Sequence, residues 1–399
     1  MTSVATSANG STVKRFLFPI FLAFAATVWA AEPTVEQRLE ALEKQVHAMT
    51  QENAELKKQL GLKEEPTPVS VQTSGKVTKL AVGGFLQVQS EFGAAADQRF
   101  VGVRDRIFFR RARIQVAGEI ADDFEFKAEI DLQGNTLGAA AGHLTRANEI
   151  YVGWKKYPFA KLRIGQLKPA FGAEQQQSDL TGMTIERSLA SDRISDGRQI
   201  GVRVGGDWPV GWLNYTLFIG NGNGANSSAN DNSKFARSAR VVLTARNEKE
   251  HKLLFGVDGF WTDDDGVSKS GLGLAGNLFT GRRAGWGVDA EWRAGDFELT
   301  GELLQSRFQP RGAAEFEARG WHLTAGYFLL PRQLQVVVRR ETFDPNTAVD
   351  GDDARSWTFG LNYFIKGDDL AVKTNYLVGR GPGAVGDEGR WVTRLQVVF

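Results

Sequence analysis

A period of two in the hydrophobic pattern constrains this chain more than any other feature. In the last ten residues, RWVTRLQVVF, one face carries Trp391, Thr393, Leu395, Val397 and Phe399, and the other Arg390, Val392, Arg394, Gln396 and Val398. Side chains alternate in this way only along a β-strand. One face is apolar with an aromatic at each end, and the other holds Arg and Gln. Two settings fit such a strand: the wall of a barrel between lipid and a wet lumen, or a half-buried strand of a soluble sandwich.

The pattern recurs along the chain. Phe124, Phe126, Ala128, Ile130 and Leu132 oppose Glu125, Lys127, Glu129 and Asp131. Trp286, Val288, Ala290 and Trp292 oppose Asp289, Glu291 and Arg293, and Trp357, Phe359, Leu361, Tyr363 and Ile365 oppose Ser356, Thr358, Asn362 and Lys366. Trp321, Leu323, Ala325, Tyr327 and Leu329 form another apolar face. Charges sit mid-strand on the polar faces while the apolar faces run unbroken, with Trp and Tyr near their ends. Lipid outside and water inside explain both features. Connections alternate in length. Seven short ones, such as Ala121-Asp122 and Leu330-Pro331, separate eight longer ones at 93–103, 133–144, 169–197, 221–233, 263–284, 310–315, 345–354 and 381–389. That count predicts a 16-stranded antiparallel transmembrane β-barrel over 78–399, with short periplasmic turns and long outer loops. A barrel of that size leaves an aqueous channel.

Composition agrees. At 42% apolar residues and a mean hydropathy of −0.28, the chain is no helical membrane protein, and it is too apolar for disorder. The 45 Gly and 42 Phe, Tyr and Trp (26 + 6 + 10) suit many turns and aromatic girdles. With 0 Cys, disulfides and thiolate metal sites are excluded. A net charge of +1 leaves no electrostatic footprint for nucleic acid. At the N-terminus, Lys14 and Arg15 precede the apolar run 16–28, and Val28-Trp29-Ala30 suits cleavage. Residues 1–30 are therefore expected to be a signal peptide. Between 31 and 62, Val35, Leu39, Leu42, Val46, Met49, Asn53, Leu56 and Leu60 step alternately by four and three. That heptad predicts a short α-helical coiled coil in the periplasm, with Asn53 setting register. Such a narrow seam needs partner helices, so the chain is expected to oligomerise. Residues 63–77, with Pro66 and Pro68, read as a linker.

Four segments carry a family resemblance: Phe108-Phe109-Arg110-Arg111-Ala112-Arg113-Ile114; Leu162 to Pro169 followed by Phe171-Gly172; Ile185-Glu186-Arg187-Ser188; and Arg198 to Val202. In order and spacing they resemble the phosphate-selective porin O/P family over about 78–399. The resemblance implies a trimeric sixteen-stranded porin whose third loop narrows the pore, with arginines that guide anions. It carries Arg110 and Arg111 into that set. By parity, Arg111, Arg113 and Gln115 should face the lumen, opposite Phe108, Ala112, Ile114 and Val116. Arg110 is expected at the rim unless a bulge turns both arginines inward. A guanidinium suits phosphate because its planar fork donates two hydrogen bonds. The basic residues at the third loop, Lys168, Arg187 and Arg193, complete the candidate anion-binding set.

The third loop tempers a strict phosphate reading, because Ala170 to Gly197 holds five acids against two bases. Loop 263–284 pairs Lys269, Arg282 and Arg283 with Asp263, Asp264 and Asp265. The acidic run is a solvated loop or an oxygen-ligand cation site. The four histidines, His47, His143, His251 and His322, show no metal-ligand spacing, and His322 has no evident partner. No cofactor or catalysis is expected. The leading expectation is an outer-membrane porin for passive diffusion of small anions, phosphate or phosphorylated solutes favoured. It would be a homotrimer in outer-membrane lipid. A broad diffusion pore, or an envelope anchor built from barrel and coiled coil, are the alternatives.

Overall fold

A computed structural model of the chain describes residues 77–133, 144–209, 211–248, 250–382 and 388–399, with Lys44, Leu137 and Ala384 in isolation. The expected signal peptide at 1–30, the coiled coil at 31–62 and all but the last residue of the linker lie outside the contiguous described residues. The rest is a closed antiparallel barrel of sixteen strands in sequence order, with the first paired to the last. The first eight are β1 (Val77–Gly93), β2 (Arg106–Ile120), β3 (Phe124–Asp131), β4 (Arg146–Trp154), β5 (Lys161–Leu167), β6 (Gln199–Asp207), β7 (Leu213–Gly220) and β8 (Ala236–Asn247). The second eight are β9 (His251–Ser268), β10 (Leu278–Ala294), β11 (Phe297–Pro310), β12 (Phe316–Leu330), β13 (Leu334–Asp344), β14 (Ala354–Lys366), β15 (Leu370–Arg380) and β16 (Arg390–Val398). The sandwich alternative is thereby excluded.

The outer face has the expected chemistry. Val152, Ile164, Leu217, Val257, Leu323 and Phe359 are exposed along it. Aromatic side chains recur toward its ends, such as Tyr327, Tyr363 and Phe399 beside the short turns and Trp261, Trp357 and Trp391 nearer the long loops. A row of large apolar groups facing outward is stable only against lipid. Closure depends on one small residue. Gly84 and Phe399 exchange backbone hydrogen bonds of 2.8 and 3.0 Å, and the Phe399 ring lies over Gly84. A Cβ at Gly84 would stand 2.2 Å from the Arg113 carbonyl oxygen and 2.9 Å from that ring.

One loop length differs from expectation. The segment 263–284 is mostly ladder, because β9 runs to Ser268 and β10 begins at Leu278. Asp264 pairs with Gly281 across the strands, and its carboxylate turns inward onto Arg283 at 2.9 Å. Asp263 turns outward, 2.6 Å from Lys234 and 2.6 Å from Arg311. Neither is a solvated loop acid; each is held by cations of neighbouring strands.

The connection between β5 and β6 folds into the barrel. Its two short helices are α1 (Ala173–Gln176) and α2 (Leu189–Ile194), the second capped by the Ser188 hydroxyl accepting from Ser191 N–H. Leu189, Ala190 and Ile194 are buried in a cluster with Phe260, Leu304, Phe308, Ala318 and Phe343 of the inner wall. Burying a side chain such as Leu189 or Ile194 contributes about 1.5–3 kcal/mol. Gly320 makes that contact close: a Cβ there would lie 2.7 Å from the Ala190 methyl.

Candidate functional site

The second strand turns three arginines inward. Across β1, Gln87 pairs with Arg111 but Val88 pairs with Phe109, so Arg110 is the extra residue of a β-bulge. The bulge resets the alternation. Phe109 is 43% exposed on the outer face, whereas Arg110, Arg111 and Arg113 are 4%, 3% and 4% exposed. Two expectations are corrected. Arg110 is not at the rim, and Phe108 is inside, with the Arg106 guanidinium 4.0 Å above its ring.

These arginines meet the acids of the inward loop. Glu186 takes a bidentate pair from Arg110, 2.9 Å at each oxygen, and a third bond of 2.5 Å from Arg394 of β16. Asp179 lies 3.3 Å from Arg111, 2.8 Å from Arg113 and 2.6 Å from Arg187 of its own loop. Glu174 accepts from Arg339 at 2.5 Å, and Asp196 from Lys269 at 2.6 Å and Arg283 at 2.8 Å. Asp192 stands 3.5 Å from Arg99. All five loop acids thus have a cation on or beside the wall. Burial opposes their ionisation, but the cations outweigh it. Arg339 and the Ser188 hydrogen bonds bring Glu174 to about 2, Arg110 and Arg394 hold Glu186 well below the carboxylate range, and Arg111, Arg187 and Arg113 do the same for Asp179. Backbone carbonyls of the loop are held as well: Lys373 donates to Gly182 at 2.8 Å and Asn362 to Met183 at 2.8 Å.

The acidic excess therefore has a different meaning from the one the loop's own composition suggests. Its carboxylates fasten the loop to a basic wall. Arg110, Arg111 and Arg113 are brought together as that wall's anchor. Arg390, also read as pore wall, is buried against Glu91 at 3.4 Å and the Gly93 carbonyl at 2.6 Å. Arg193 is set apart from them, donating to Ser270 Oγ at 2.5 Å.

The other part of the wall carries further cations. Lys168, just past β5, is buried and donates to the Gln177 carbonyl at 3.0 Å, with no ion pair among the described residues. Burial first, then Arg198 and Arg187, push its ammonium down to about 7. Arg163 and Arg203 face each other across β5 and β6. Arg163 is tied to Glu125 at 2.7 Å, while half-buried Arg203 has neither a hydrogen bond nor an ion pair among the described residues. Arg198 is 3.6 Å from Glu149. Arg198 and Arg203 were not singled out as sites from sequence. Alternation in Gly201-Val202-Arg203-Val204-Gly205 was the available signal, since it puts both valines outside and Arg203 inside.

On another side of the loop, a cavity of about 330 Å³ is lined in part by Glu174, Arg240, Asp289, Glu302, His322 and Arg339. Here His322 does have neighbours. Its Nε2 is 3.6 Å from Glu174 and 3.6 Å from Glu302.

A closed sixteen-strand barrel with an apolar exterior, a charged interior and a loop docked inside defines a porin. Residues 84–399 match the family described as Phosphate-selective porin O and P. The chain belongs to that family, and family and fold together place it in the bacterial outer membrane as a channel. Porin O of Pseudomonas aeruginosa is 22% identical over 404 aligned residues, spanning 83% of this chain and 91% of that protein. The anion-selective porin from Comamonas acidovorans superposes with a TM-score of 0.57 at 14% identity, covering 80% of this chain and 99% of that one. OmpT of Vibrio cholerae in its trimer form gives 0.56 at 13% identity, covering 80% and 99%. At these identities the structural likeness speaks for the fold.

Proposed function

We propose that this porin carries small anions passively across the outer membrane, with phosphate or phosphorylated solutes favoured, and that it works as a homotrimer. The observation that supports anion preference most is the uneven pairing of the lumen. The loop acids are consumed by wall cations, whereas Lys168 and Arg203 are left without carboxylate partners among the described residues. A unit charge 4 Å from an anion contributes about 4 kcal/mol at an effective dielectric near 20, before salt screening. That is enough to replace part of a hydration shell, and weak enough to release the ion. In this reading Lys168 and Arg203 meet the solute, while Arg187 and Arg198 beside them are held by Asp179 and Glu149. Arg110, Arg111 and Arg113 shape the passage by holding the loop, and Arg193 lies away from them at Ser270.

Planar-bilayer recording in a potassium chloride gradient tests the proposal. The zero-current potential should report anion preference, and added phosphate should reduce chloride current. Arg203→Ala should lower the anion preference severalfold with conductance otherwise retained. Cation preference in the unaltered protein without phosphate block would sink the reading. A balanced permeability would instead support a broad diffusion pore, which the paired Arg163–Glu125 and Lys127–Glu149 contacts favour. The periplasmic coiled coil is proposed to set the trimer.

A further inference from the structure

We propose that Glu174, Glu302 and His322 form a binding site for a divalent transition-metal cation of the zinc class, bridging the inward loop to the barrel wall. The three residues come from separate elements: α1, β11 and β12. Their ligand atoms all lie within 4.8 Å of one another. His322 Nε2 is 3.6 Å from Oε2 of each glutamate. Two ligands of a tetrahedral zinc at 2.0–2.1 Å stand roughly 3.4 Å apart, so the two His–Glu edges need contraction by a few tenths of an ångström and the Glu–Glu edge starts from no more than 4.8 Å.

The second observation is His322 itself. It is 5% exposed, and its Nε2 has no hydrogen-bond partner. A buried ring nitrogen without a partner costs free energy that a ligand removes. Its Nδ1 lies 3.4 Å from Thr324 Oγ1. A proton on Nδ1 directed to that hydroxyl leaves the Nε2 lone pair aimed between the carboxylates, the outer-shell arrangement that ligating histidines use. Glu302 is oriented in the same manner, with Ala173 N–H donating to its other oxygen, Oε1, and Glu174 is fixed by Arg339 on Oε1 and by Ser188 N–H and Oγ on Oε2 at 2.8 and 2.7 Å.

Charge selects a cation over an anion. The adjoining cavity is lined by the acids Glu174, Asp289, Glu291 and Glu302 against Arg240 and Arg339, an excess of two negative charges (4 − 2). One imidazole nitrogen and two carboxylate oxygens suit zinc, cobalt or nickel better than calcium or magnesium. The cavity, at about 330 Å³, gives the fourth position room for water. Bound metal would add a third kind of fastening to a loop already held by apolar packing and ion pairs.

The test uses the untagged full chain folded in detergent and titrated with Co²⁺, then with Zn²⁺ as competitor. The unaltered protein should show saturable visible bands of four-coordinate cobalt that zinc displaces, and zinc should raise its melting temperature by mass action. His322→Ala should lose both effects. Glu302→Gln keeps an acceptor for Ala173 N–H, so the loop stays docked while affinity falls at least about tenfold. If His322→Ala does not fold, Glu302→Gln decides. Unchanged bands in a folded variant would overturn the site, because the other histidines would then be the ligands. So would the absence of saturable binding in the unaltered protein. Neither result depends on the ion selectivity of the pore.

Discussion

Replacing Glu186 with Gln tests whether ion pairs hold the inward loop in place. The side chain is buried and bridges Arg110, with two bonds of 2.9 Å, to Arg394 at 2.5 Å. Gln preserves the shape and removes the charge. Arg110 and Arg394 then face each other, with Arg111 next in sequence, and Asp179 is already shared among Arg111, Arg113 and Arg187. Removing one partner of a buried ion pair costs about 3–5 kcal/mol. The opposing term is local. Ile185 is buried in a cluster with Phe100, Leu377 and Val392, and its burial contributes about 1.5–3 kcal/mol. The electrostatic loss is the larger, so the segment around Glu186 should loosen while α2 stays packed on Leu304 and Phe308. A change of 3–5 kcal/mol moves the docked-to-released ratio by roughly two to three and a half powers of ten.

Single-channel recording reads the result directly. Glu186→Gln should give larger or flickering conductance steps, and a higher anion preference, because two arginines lose their carboxylate. Thermal stability of the barrel should fall while the sheet content at room temperature is retained. A control at the exposed pair of Arg307 and Glu315, Glu315→Gln, should leave the traces as they were, since exposed pairs contribute little. Identical conductance, noise and selectivity in Glu186→Gln would refute the Glu186 clamp and leave the loop to its apolar packing and its pairs at Glu174, Asp179 and Asp196.

Other outcomes follow from the same geometry. Lys168 is pushed down to about 7, so its charge is present below that pH and lost above it. Anion preference should fall between about pH 6 and 8, and Lys168→Met should flatten the profile; a flat profile in the unaltered protein would exclude Lys168 from the path. The depressed carboxylates work in the opposite direction. Their contribution is complete above the ordinary carboxylate range and lost as pH falls toward about 2 for Glu174, so the loop should remain docked, with steady conductance, at pH 4. Gly84→Ala sets a methyl against the Arg113 carbonyl at 2.2 Å, an overpacking cost of about 1–3 kcal/mol. It should reduce the yield of heat-modifiable folded barrel on gels. Deleting 35–60 should remove the trimer on native gels and leave the conductance of each remaining pore unchanged.

The strands were legible because lipid and water impose opposite demands on alternate residues, and each strand carries that record within itself. The terminal run RWVTRLQVVF and the faces around Trp286 and Trp357 needed no distant information. Parity fails where the backbone inserts a residue. At Arg110 a bulge shifts every later side chain to the other face, and the adjacent doublets Phe108-Phe109 and Arg110-Arg111 are the trace such a slip leaves. The loop's role was hidden for a different reason. Its acids were weighed against the bases beside them in sequence, yet Glu186 pairs with Arg394 at a separation of 208 residues and Glu174 with Arg339 at 165. Charge in a closed barrel is balanced across the lumen, not along the chain. Once those pairs are removed from the count, the cations left over are the ones proposed to meet a solute. Lys168 and Arg203 are conspicuous because neither has an acid of its own, and only the closed structure could set them apart from the arginines that hold the loop.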